Sequence, residues 1–357
     1  MNEARANRIL AALKEQGVDQ MLITDPMSIC YLTGISMAPI ERFYALLLKA
    51  DGHHYYFLNH LFNVPGDVGV EKVWYSDTDP VPEIVAARLD KNAVLGVDKD
   101  LKARFLLPLM EMKAAAGFVN GSLAVDITRG VKDTEEQKKM RISSAINDKA
   151  MAKFKGLIHE GVSEKEVADQ MLQIYLDLGA DGYSFEPLVA FGANAADPHH
   201  SPDDTVVKPG DCVLFDVGCI KDGYCSDMTR TVALGQPSPE MEKVYAAVLA
   251  AQRAGIQAAR AGVSGREVDG AARRVLREAG YGDYFTHSFG HSLGVDIHES
   301  PNASPSEDRV LPAGAVISAE PGVYIPGRFG VRIEDVLVLK DGGCEDITRS
   351  PKDLIVL

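Results

Sequence analysis

The sequence predicts an α+β protein with two domains, the second of which contains two related halves. At 357 residues the chain exceeds the usual size of one domain. Its first third alternates helical and strand-like segments, which is typical of an α/β layer. In the remainder, four short segments recur in the same order at offsets of 99 to 107 residues. Such spacing indicates two halves related by a pseudo-twofold axis.

The N-terminal domain is expected at residues 1–127. A helix is predicted at 2–16, ending at Gly17, and another at 103–116. Strands are predicted at 21–24, 44–49 and 93–97, and the YLTGI segment at 31–35 is interpreted as a further strand. No catalytic residue types concentrate here, so any contribution to function should come through assembly.

The C-terminal domain is expected at residues 128–357, after a boundary in the region 126–131. Thr134 is predicted to cap its first helix, with Gln137 three residues later. Apolar residues then recur every four positions, at Ile142, Ile146, Ala150, Phe154 and Ile158. This period indicates a long amphipathic helix.

The repeat pairs residues of similar chemistry. The pairs are Ser163 with Ser264, each opening a Ser-x-x-Glu capping box, His199 with His298, Asp216 with Glu320, and Asp227 with Glu334. Each of these acids ends or interrupts an apolar, strand-like run. Two such halves would bring their carboxylates together in a central cleft.

Composition narrows the class of protein. A formal net charge of −14 argues against nucleic acid as a partner, since that binding needs basic surface. The chain has no apolar run of membrane-spanning length and no signal-peptide pattern at its start. Five cysteines without a CxxC spacing favour reduced thiols and a cytoplasmic protein.

The four acids predict a metal site. Carboxylates are rarely buried unless they are paired or bound to metal, and two divalent cations would compensate four converging anions. His291 would add a nitrogen ligand from one half only, because the repeat aligns it with Ala193. Oxygen ligands with one histidine suit manganese, cobalt, zinc or iron and do not choose among them.

The histidines near this site admit more than one interpretation. His287 and His291 have the spacing of an HExxH zinc helix, but Ser288 replaces the glutamate and nearby glycines argue against a helix. The symmetry of His199 and His298 favours hydrogen bonds to substrate and to a developing oxyanion, the alternative being a structural role. His200 is interpreted as a bystander.

Several segments together resemble a known family. FDVGCIKDGYCSDMTRT, HSFGHSLGVDIHESP, SAEPGVYIPG and GVRIEDVLVL are similar to signature segments of peptidase family M24, the creatinase/methionine aminopeptidase superfamily with the pita-bread fold. They look most like the Xaa-Pro dipeptidase (prolidase) and aminopeptidase P branch. The resemblance covers about 130–357 strongly, and YLTGI resembles the creatinase-like N-terminal domain of that branch.

The resemblance implies a role for each candidate residue. Asp216 would chelate one metal ion, Asp227 and Glu334 would bridge two, and His291 and Glu320 would hold the second. Glu320 would also move a proton, while His199 and His298 would contact the substrate. Arg332, His287 and Tyr324 would lie beside the ligands or the substrate. The implied reaction is hydrolysis of the peptide bond before proline, in a homodimer whose N-terminal domain reaches the partner's cleft.

Comparison with two relatives, and one residue at which this chain departs from the family pattern, limit this interpretation. Creatinase lacks the metal ligands and methionine aminopeptidase usually lacks the N-terminal domain, and this chain has both. Many dipeptidase members carry Arg where this chain has Asn302, with only Arg309 further along the loop, so a strict dipeptide preference is not expected. The alternatives are the same fold and metals acting on a small non-peptide molecule, or a silent binding protein.

Overall fold

A computed structural model describes residues 1–64 and 66–357. The chain forms two compact units, Met1–Arg129 and Gly130–Leu357. Within the described residues, none of the helices has the length and apolar character needed to cross a membrane. All five cysteines are free thiols.

The N-terminal unit is built around one mixed sheet. Its helices are α1 (Glu3–Lys14), α2 (Pro26–Thr33), α3 (Val81–Ala86), α4 (Ala103–Glu111) and α5 (Ser122–Gly130). Its strands are β1 (Gln20–Ile23), β2 (Ala45–Lys49), β3 (Tyr55–Asn59), β4 (Glu71–Tyr75), β5 (Val94–Val97) and β6 (Gly117–Asn120). They pair in the order β4-β3-β2-β1-β5-β6, with β1 antiparallel to β2 and parallel to β5. The α/β layer expected from the sequence is therefore present.

The YLTGI segment is not a strand, because strong helix signals surround it. Asp25 caps α2 by accepting hydrogen bonds from the backbone N–H groups of Met27 and Ser28, and Pro26 follows at the first helical position. Gly34 ends the helix in the left-handed conformation, with φ 74°. The helix thus includes the first three residues of YLTGI.

The C-terminal unit combines long helices with short sheets. Its helices are α6 (Thr134–Lys155), α7 (Glu164–Asp177), α8 (Pro239–Ala258) and α9 (Gly265–Glu278). Its strands before α8 are β7 (Gly182–Tyr183), β8 (Leu188–Phe191), β9 (Cys212–Val217), β10 (Cys219–Lys221), β11 (Tyr224–Cys225) and β12 (Met228–Ala233). Those after α9 are β13 (Gly290–Ser292), β14 (Glu299–Ala303), β15 (Val316–Ala319), β16 (Gly322–Ile325), β17 (Phe329–Arg332), β18 (Asp335–Lys340) and β19 (Gly343–Asp346).

The two halves of this unit repeat one topology. Strands β12-β9-β8 pair in that order in the first half, and β18-β15-β13 pair in the same order in the second. A hairpin lies between the two acids of each half, β10–β11 in one and β16–β17 in the other. Helices α7 and α9 both begin with a Ser/Glu capping box. The sequence repeat therefore corresponds to a structural one.

The cap of α6 lies one residue earlier than predicted. Asp133, not Thr134, accepts a hydrogen bond from the backbone N–H of Glu136, and the Glu136 side chain accepts one from the backbone N–H of Asp133. Thr134 is already helical, so its hydroxyl cannot fill the capping position. The period of four is otherwise present in the packing: Ala150 and Phe154 are buried, although Ile142 is 41% exposed.

Apolar strands hold the candidate acids in place. Phe215 on β9 and Ile317 on β15 are fully buried, in the cores beneath the two halves. Asp216 follows the first of these runs, and Glu320 comes directly after β15. Packing of these strands thus fixes where the backbone of each acid lies.

Candidate metal centre

A cavity of about 1210 Å³ is lined by residues of both halves of the C-terminal unit. Its wall includes the candidate residues Asp216, Asp227, His291, Glu320, Glu334, His199, His298, His287 and Arg332. Tyr324 is buried behind this wall, where it contacts Arg332 and His287. The structure thus brings all ten candidate residues into one region.

His291 lies between two carboxylates. Its Nε2 atom is 3.5 Å from Oδ2 of Asp227 and 3.4 Å from Oε1 of Glu320. Asp227, His291 and Glu334 each offer a ligand atom within 4.8 Å of the others. Ligands of one ion, each about 2.0–2.2 Å from it, lie about 3–4 Å from one another. The spacing of these atoms therefore suits a shared cation.

Asp216 is oriented by a buried arginine. Arg332, 2% exposed, donates from Nη2 to Oδ2 of Asp216 at 2.5 Å. Its Nε donates to Thr229 Oγ1 at 3.0 Å, and that hydroxyl donates to Oε2 of Glu334 at 2.7 Å. One guanidinium therefore fixes an acid of each half, one directly and one through Thr229.

The acids are costly to ionise where they lie. Burial raises the pKa of Asp227 and Glu334 well above the usual range, and the negative charges of neighbouring acids raise both further. Burial also raises the pKa of Glu320, while His287 and Arg332 oppose that shift. The protein alone does not neutralise this group of carboxylates.

Divalent cations fit this arrangement. Oδ1 of Asp216 and Oδ1 of Asp227 are both buried and have no hydrogen-bond partner among the described residues. A buried oxygen without a partner costs about 1–3 kcal/mol, and more when it is charged. A cation would satisfy both oxygens and reverse the pKa shifts of the acids. Four carboxylates and one imidazole are suitable donors for manganese, cobalt, zinc or iron.

A hydrogen-bonded chain connects His287 to Arg332. The Nδ1 atom of His287 lies 2.8 Å from the carbonyl oxygen of Ser288, and its Nε2 lies 2.8 Å from the Tyr324 hydroxyl. Burial lowers the pKa of His287, which favours the neutral ring with its hydrogen on Nδ1. Tyr324, whose pKa burial raises to about 12, then donates to His287 and accepts from Arg332 at 2.7 Å.

His199 and His298, which the repeat pairs, lie on opposite halves of the cavity. The rings of His291 and His298 meet edge to face with centroids 4.5 Å apart. Burial lowers the pKa of His298, as it does that of His291, so the neutral forms are favoured. His199 is exposed, and its backbone N–H donates to Asp197. Both His199 and His298 can therefore reach a ligand in the cavity.

His200 is more than a bystander. Its Nε2 lies 2.6 Å from Oε2 of Glu164, whose side chain is fully buried. Backbone N–H groups of Phe191 and Asp203 donate to the same carboxylate. Glu164, His200 and Asp203 have the spacing of metal ligands. However, hydrogen bonds already occupy both oxygens of Glu164, so His200 anchors a loop.

Neither Asn302 nor Arg309 lines the cavity in the described part of the chain. Arg309 donates to Oε1 of Glu307 at 2.8 Å and to its Oε2 at 2.5 Å. The substitute for the expected arginine is therefore engaged elsewhere.

Sequence reasoning missed Thr229, Glu164 and Lys132. Thr229 follows Asp227 by two residues, and alternation along a strand could have placed the two on one face. In the sequence, Glu164 looks like an ordinary acid in the first turn of a helix, and Lys132 looks like an exposed lysine in the segment between the two domains. Their partners are distant in sequence, so no local pattern identified them.

Comparison with known proteins identifies the family of this chain. Residues 138–341 match the model of metallopeptidase family M24, and residues 5–131 match the creatinase/prolidase N-terminal domain. An uncharacterized peptidase of Staphylococcus aureus is 35% identical, covering 98% of this chain and 99% of its own. The chain therefore belongs to metallopeptidase family M24.

Solved structures show the same fold over nearly the whole chain. An Xaa-Pro dipeptidase from Bacillus anthracis is 34% identical, with a TM-score of 0.89 and 99% of each chain covered. A prolidase from Thermococcus sibiricus is also 34% identical, with a TM-score of 0.92, covering 100% of this chain and 99% of its own. The pita-bread fold with a creatinase-like N-terminal domain, inferred from the motifs, is confirmed.

Proposed function

We propose that this chain hydrolyses the peptide bond preceding proline in short peptides, using two divalent metal ions. The observation that carries the proposal is the convergence of Asp227, His291 and Glu334 within 4.8 Å, in a cavity also lined by His199 and His298. The likeness to the Bacillus anthracis Xaa-Pro dipeptidase supports the substrate class. A bond before proline carries no N–H, so the site needs no acceptor there.

Five residues would hold the ions. Asp216 would bind one, Asp227 and Glu334 would bridge both, and His291 with Glu320 would bind the other. The bound ions would supply Lewis acidity and lower the pKa of water. Arg332 holds Oδ2 of Asp216, which leaves Oδ1 for a ligand role. Manganese, cobalt and zinc all suit these ligands, and the ligand set does not choose among them.

Glu320 would transfer the proton. One of its oxygens accepts a hydrogen bond from Ser318 Oγ at 3.0 Å, which orients the carboxylate. Glu320 would take a proton from the attacking water and deliver it to the proline nitrogen, which leaves as a secondary amine. His199 and His298 would donate to the carbonyl oxygen as it gains negative charge. Neutral imidazoles can do so because one ring nitrogen carries a hydrogen.

A substrate panel tests the proposal. The apo protein is loaded with manganese, cobalt or zinc and given Xaa-Pro dipeptides, Xaa-Pro-Yaa tripeptides and matched Xaa-Ala peptides. We expect metal-dependent cleavage of the proline peptides only. Asp227→Asn should abolish it, whereas Asp181→Asn, at an exposed ion pair with Lys221, should not. Cleavage of no peptide, with metal bound, would favour a small non-peptide substrate instead.

We also propose a homodimer formed through the N-terminal domain, which would contribute to the partner's cleft. The segment 36–42 is the candidate contact, because Ile40 is 75% exposed. Arg42 is held by Asp77 through two hydrogen bonds, which would keep this segment ordered. Light scattering should give twice the chain mass, and Ile40→Asp should lower it; a monomeric parent protein would remove the proposal.

A cytoplasmic location is proposed from the cysteines. Cys212, Cys219 and Cys225 are buried, unpaired thiols, as expected in a reducing compartment. Burial raises the pKa of Cys219, which keeps that thiol protonated and unreactive. Cell fractionation with an antibody to the chain would test the location.

A further inference from the structure

Two buried charged side chains, Lys132 and Glu164, lie behind the walls of the cavity that carry histidines. Each of them joins two segments of one half. In the second half, Lys132 Nζ donates to Oε2 of Glu299 at 2.7 Å and to Ser292 Oγ at 3.1 Å. The side chains of Lys132 and Glu299 are only 1% and 2% exposed. We call Lys132, Glu299 and Ser292 the second-half clasp.

The partners of Lys132 are the sequence neighbours of two cavity residues. Ser292 follows His291, and Glu299 follows His298. Successive side chains on a strand point to opposite faces, so the clasp holds the reverse side of the segments whose histidines face the cavity. The clasp is also tightly packed against Gly294, because a Cβ at that position would lie 2.8 Å from both Glu299 Oε2 and Lys132 Cε.

The first half has a matching arrangement with inverted charge. Glu164 Oε2 accepts from His200 Nε2 at 2.6 Å, and its Oε1 accepts from Asn194 Nδ2 at 3.0 Å. His200 follows His199, and Asn194 follows Ala193, the position that the repeat aligns with His291. We call Glu164, His200 and Asn194 the first-half clasp. The central group is an anion here and a cation in the second half.

The second half could not use the same central acid. The repeat aligns Glu164 with Gly265, where a Cβ would lie 2.1 Å from the carbonyl oxygen of Asn302. The charge comes instead from Lys132, outside the repeat, whose backbone N–H donates to Gly314 at 2.9 Å. Both halves therefore place a buried charge behind their cavity histidine, by different routes.

We propose that the two clasps are positioning devices: the second-half clasp fixes His291 and His298, and the first-half clasp fixes His199. A buried ion pair contributes little stability compared with apolar residues of the same volume, but it specifies one geometry. Groups that orient a metal ligand typically change metal affinity or activity by about 10–100-fold when they are lost. The inference rests on the proposed function, since it assumes that His291 binds metal.

The proposal predicts different effects for the two clasps. Lys132→Met and Glu299→Gln should weaken manganese binding to the apo protein about tenfold or more, and lower kcat at saturating metal. Glu164→Gln should lower kcat with manganese affinity unchanged, because its half supplies no histidine ligand. Arg141→Met removes an ion pair with Glu345 outside the cavity and should change neither quantity.

Calorimetric titration with manganese, thermal melts and steady-state kinetics on the full-length protein test these expectations. The double variant Lys132→Met/Glu299→Gln removes both charges of the clasp, so neither is left buried without its partner. Its Tm should therefore rise above that of Lys132→Met, while its metal affinity stays weak. Recovery of affinity together with Tm would overturn the positioning role. So would folded Lys132→Met and Glu299→Gln proteins with parental manganese affinity and kcat.

If Lys132→Met does not fold, Glu299→Gln decides the matter, because it keeps the shape of the side chain, but its one amide oxygen cannot accept from both Lys132 and the backbone N–H of Asp296 as the carboxylate does. A parent protein that binds manganese but cleaves no proline peptide would sink the proposed function alone. The affinity comparison between the two clasps would still stand or fall by itself.

Discussion

Arg332 holds Asp216 by one carboxylate oxygen, at 2.5 Å, and the other oxygen is buried without a hydrogen-bond partner among the described residues. The same guanidinium reaches Thr229 and Tyr324 through its other nitrogens. The planar fork of arginine makes three such contacts at once, which a lysine ammonium on a single stem does not reproduce. The geometry of the candidate metal centre therefore depends on a residue that we do not propose as a ligand.

Arg332→Lys keeps the charge but loses this fork. We expect metal affinity and kcat to fall by about 10–100-fold, since Asp216 and Thr229 lose their orientation. Arg328→Lys, at an exposed ion pair with Glu240, is the control and should behave like the parent protein. Metal titration and kinetics measure both effects. Equal metal affinity in Arg332→Lys would mean that charge alone orients Asp216.

Stability should depend on pH differently with and without metal. Asp227 and Glu334 have raised pKa values in the metal-free fold, so the folded state binds protons more tightly than the unfolded chain. Their protonated forms stabilise the fold at acid pH, and this contribution is lost as pH rises through the raised values. Bound cations replace those protons. The increase in Tm on adding manganese should therefore be larger at about pH 8 than at about pH 5.

Thermal melts in chelator and in manganese across this range measure the difference. In Asp227→Asn/Glu334→Gln the metal-free protein should lose less stability as pH rises, because neither group can ionise. A metal-dependent shift in Tm that is the same at every pH would contradict the proton–metal exchange.

The Tyr324 hydroxyl links Arg332 to His287. In Tyr324→Phe both of these buried groups lose a hydrogen bond, and we expect kcat to fall by about tenfold with a smaller change in KM. Tyr245→Phe is a matched control, because burial also raises the pKa of Tyr245 to about 12 and its hydroxyl donates to the Lys352 carbonyl. Steady-state kinetics separate the two. Similar losses in both variants would indicate general destabilisation.

The sequence predicted what depends on local pattern and on the repeat. Acids that end apolar strands and the position of His291 are local signals, while the repeat relates segments 99 to 107 residues apart, and the structure brings these residues to one cavity. Local signals failed where two of them competed: YLTGI has strand-like composition, but Asp25 and Gly34 bound a helix. The cap of α6 shifted by one residue for a similar reason, since Asp133 and Thr134 are both good capping residues.

Contacts between distant residues that the repeat does not relate could not be predicted. Lys132 and Glu299 are 167 positions apart, and each is of a residue type that usually lies on the surface. Glu164 and His200 are 36 positions apart, with most of α7 and the strands β7 and β8 between them. These pairs matter because they are buried, and which residues become buried together follows only from the assembled fold. Arg309 is a different case, because its partner Glu307 is only two residues away, and their pairing keeps Arg309 from the substrate.

That pairing changes what is expected of specificity. A dipeptide presents its carboxylate directly after proline, and the family resemblance implies that an arginine at the position of Asn302 would bind it. Asn302 does not line the cavity, and its side-chain oxygen is buried. An arginine at this position would have to leave that environment to reach substrate. We therefore expect that Asn302→Arg does not favour dipeptides.

Lys165 is the better candidate for that carboxylate. Among the described residues, Lys165 and Arg332 are the lysine and arginine side chains that line the cavity, and Arg332 is occupied by Asp216. Lys165 lies in the first turn of α7, and its backbone N–H donates to the carbonyl of Asp203 in the loop that follows His200. Because Lys165 is exposed, its attraction for a carboxylate should be modest and sensitive to salt.

Lys165→Met should therefore raise KM for Xaa-Pro dipeptides by about three- to tenfold and leave kcat close to the parent value, since the cation binds ground state and transition state alike. Xaa-Pro-Yaa tripeptides, whose carboxylate lies one residue further out, should change less. Lys165→Arg should restore dipeptide binding, and Lys221→Met, which removes a lysine outside the cavity, should have no effect. Added salt should weaken dipeptide binding by the parent protein and not by Lys165→Met. Equal changes for dipeptides and tripeptides would show that Lys165 does not meet the carboxylate.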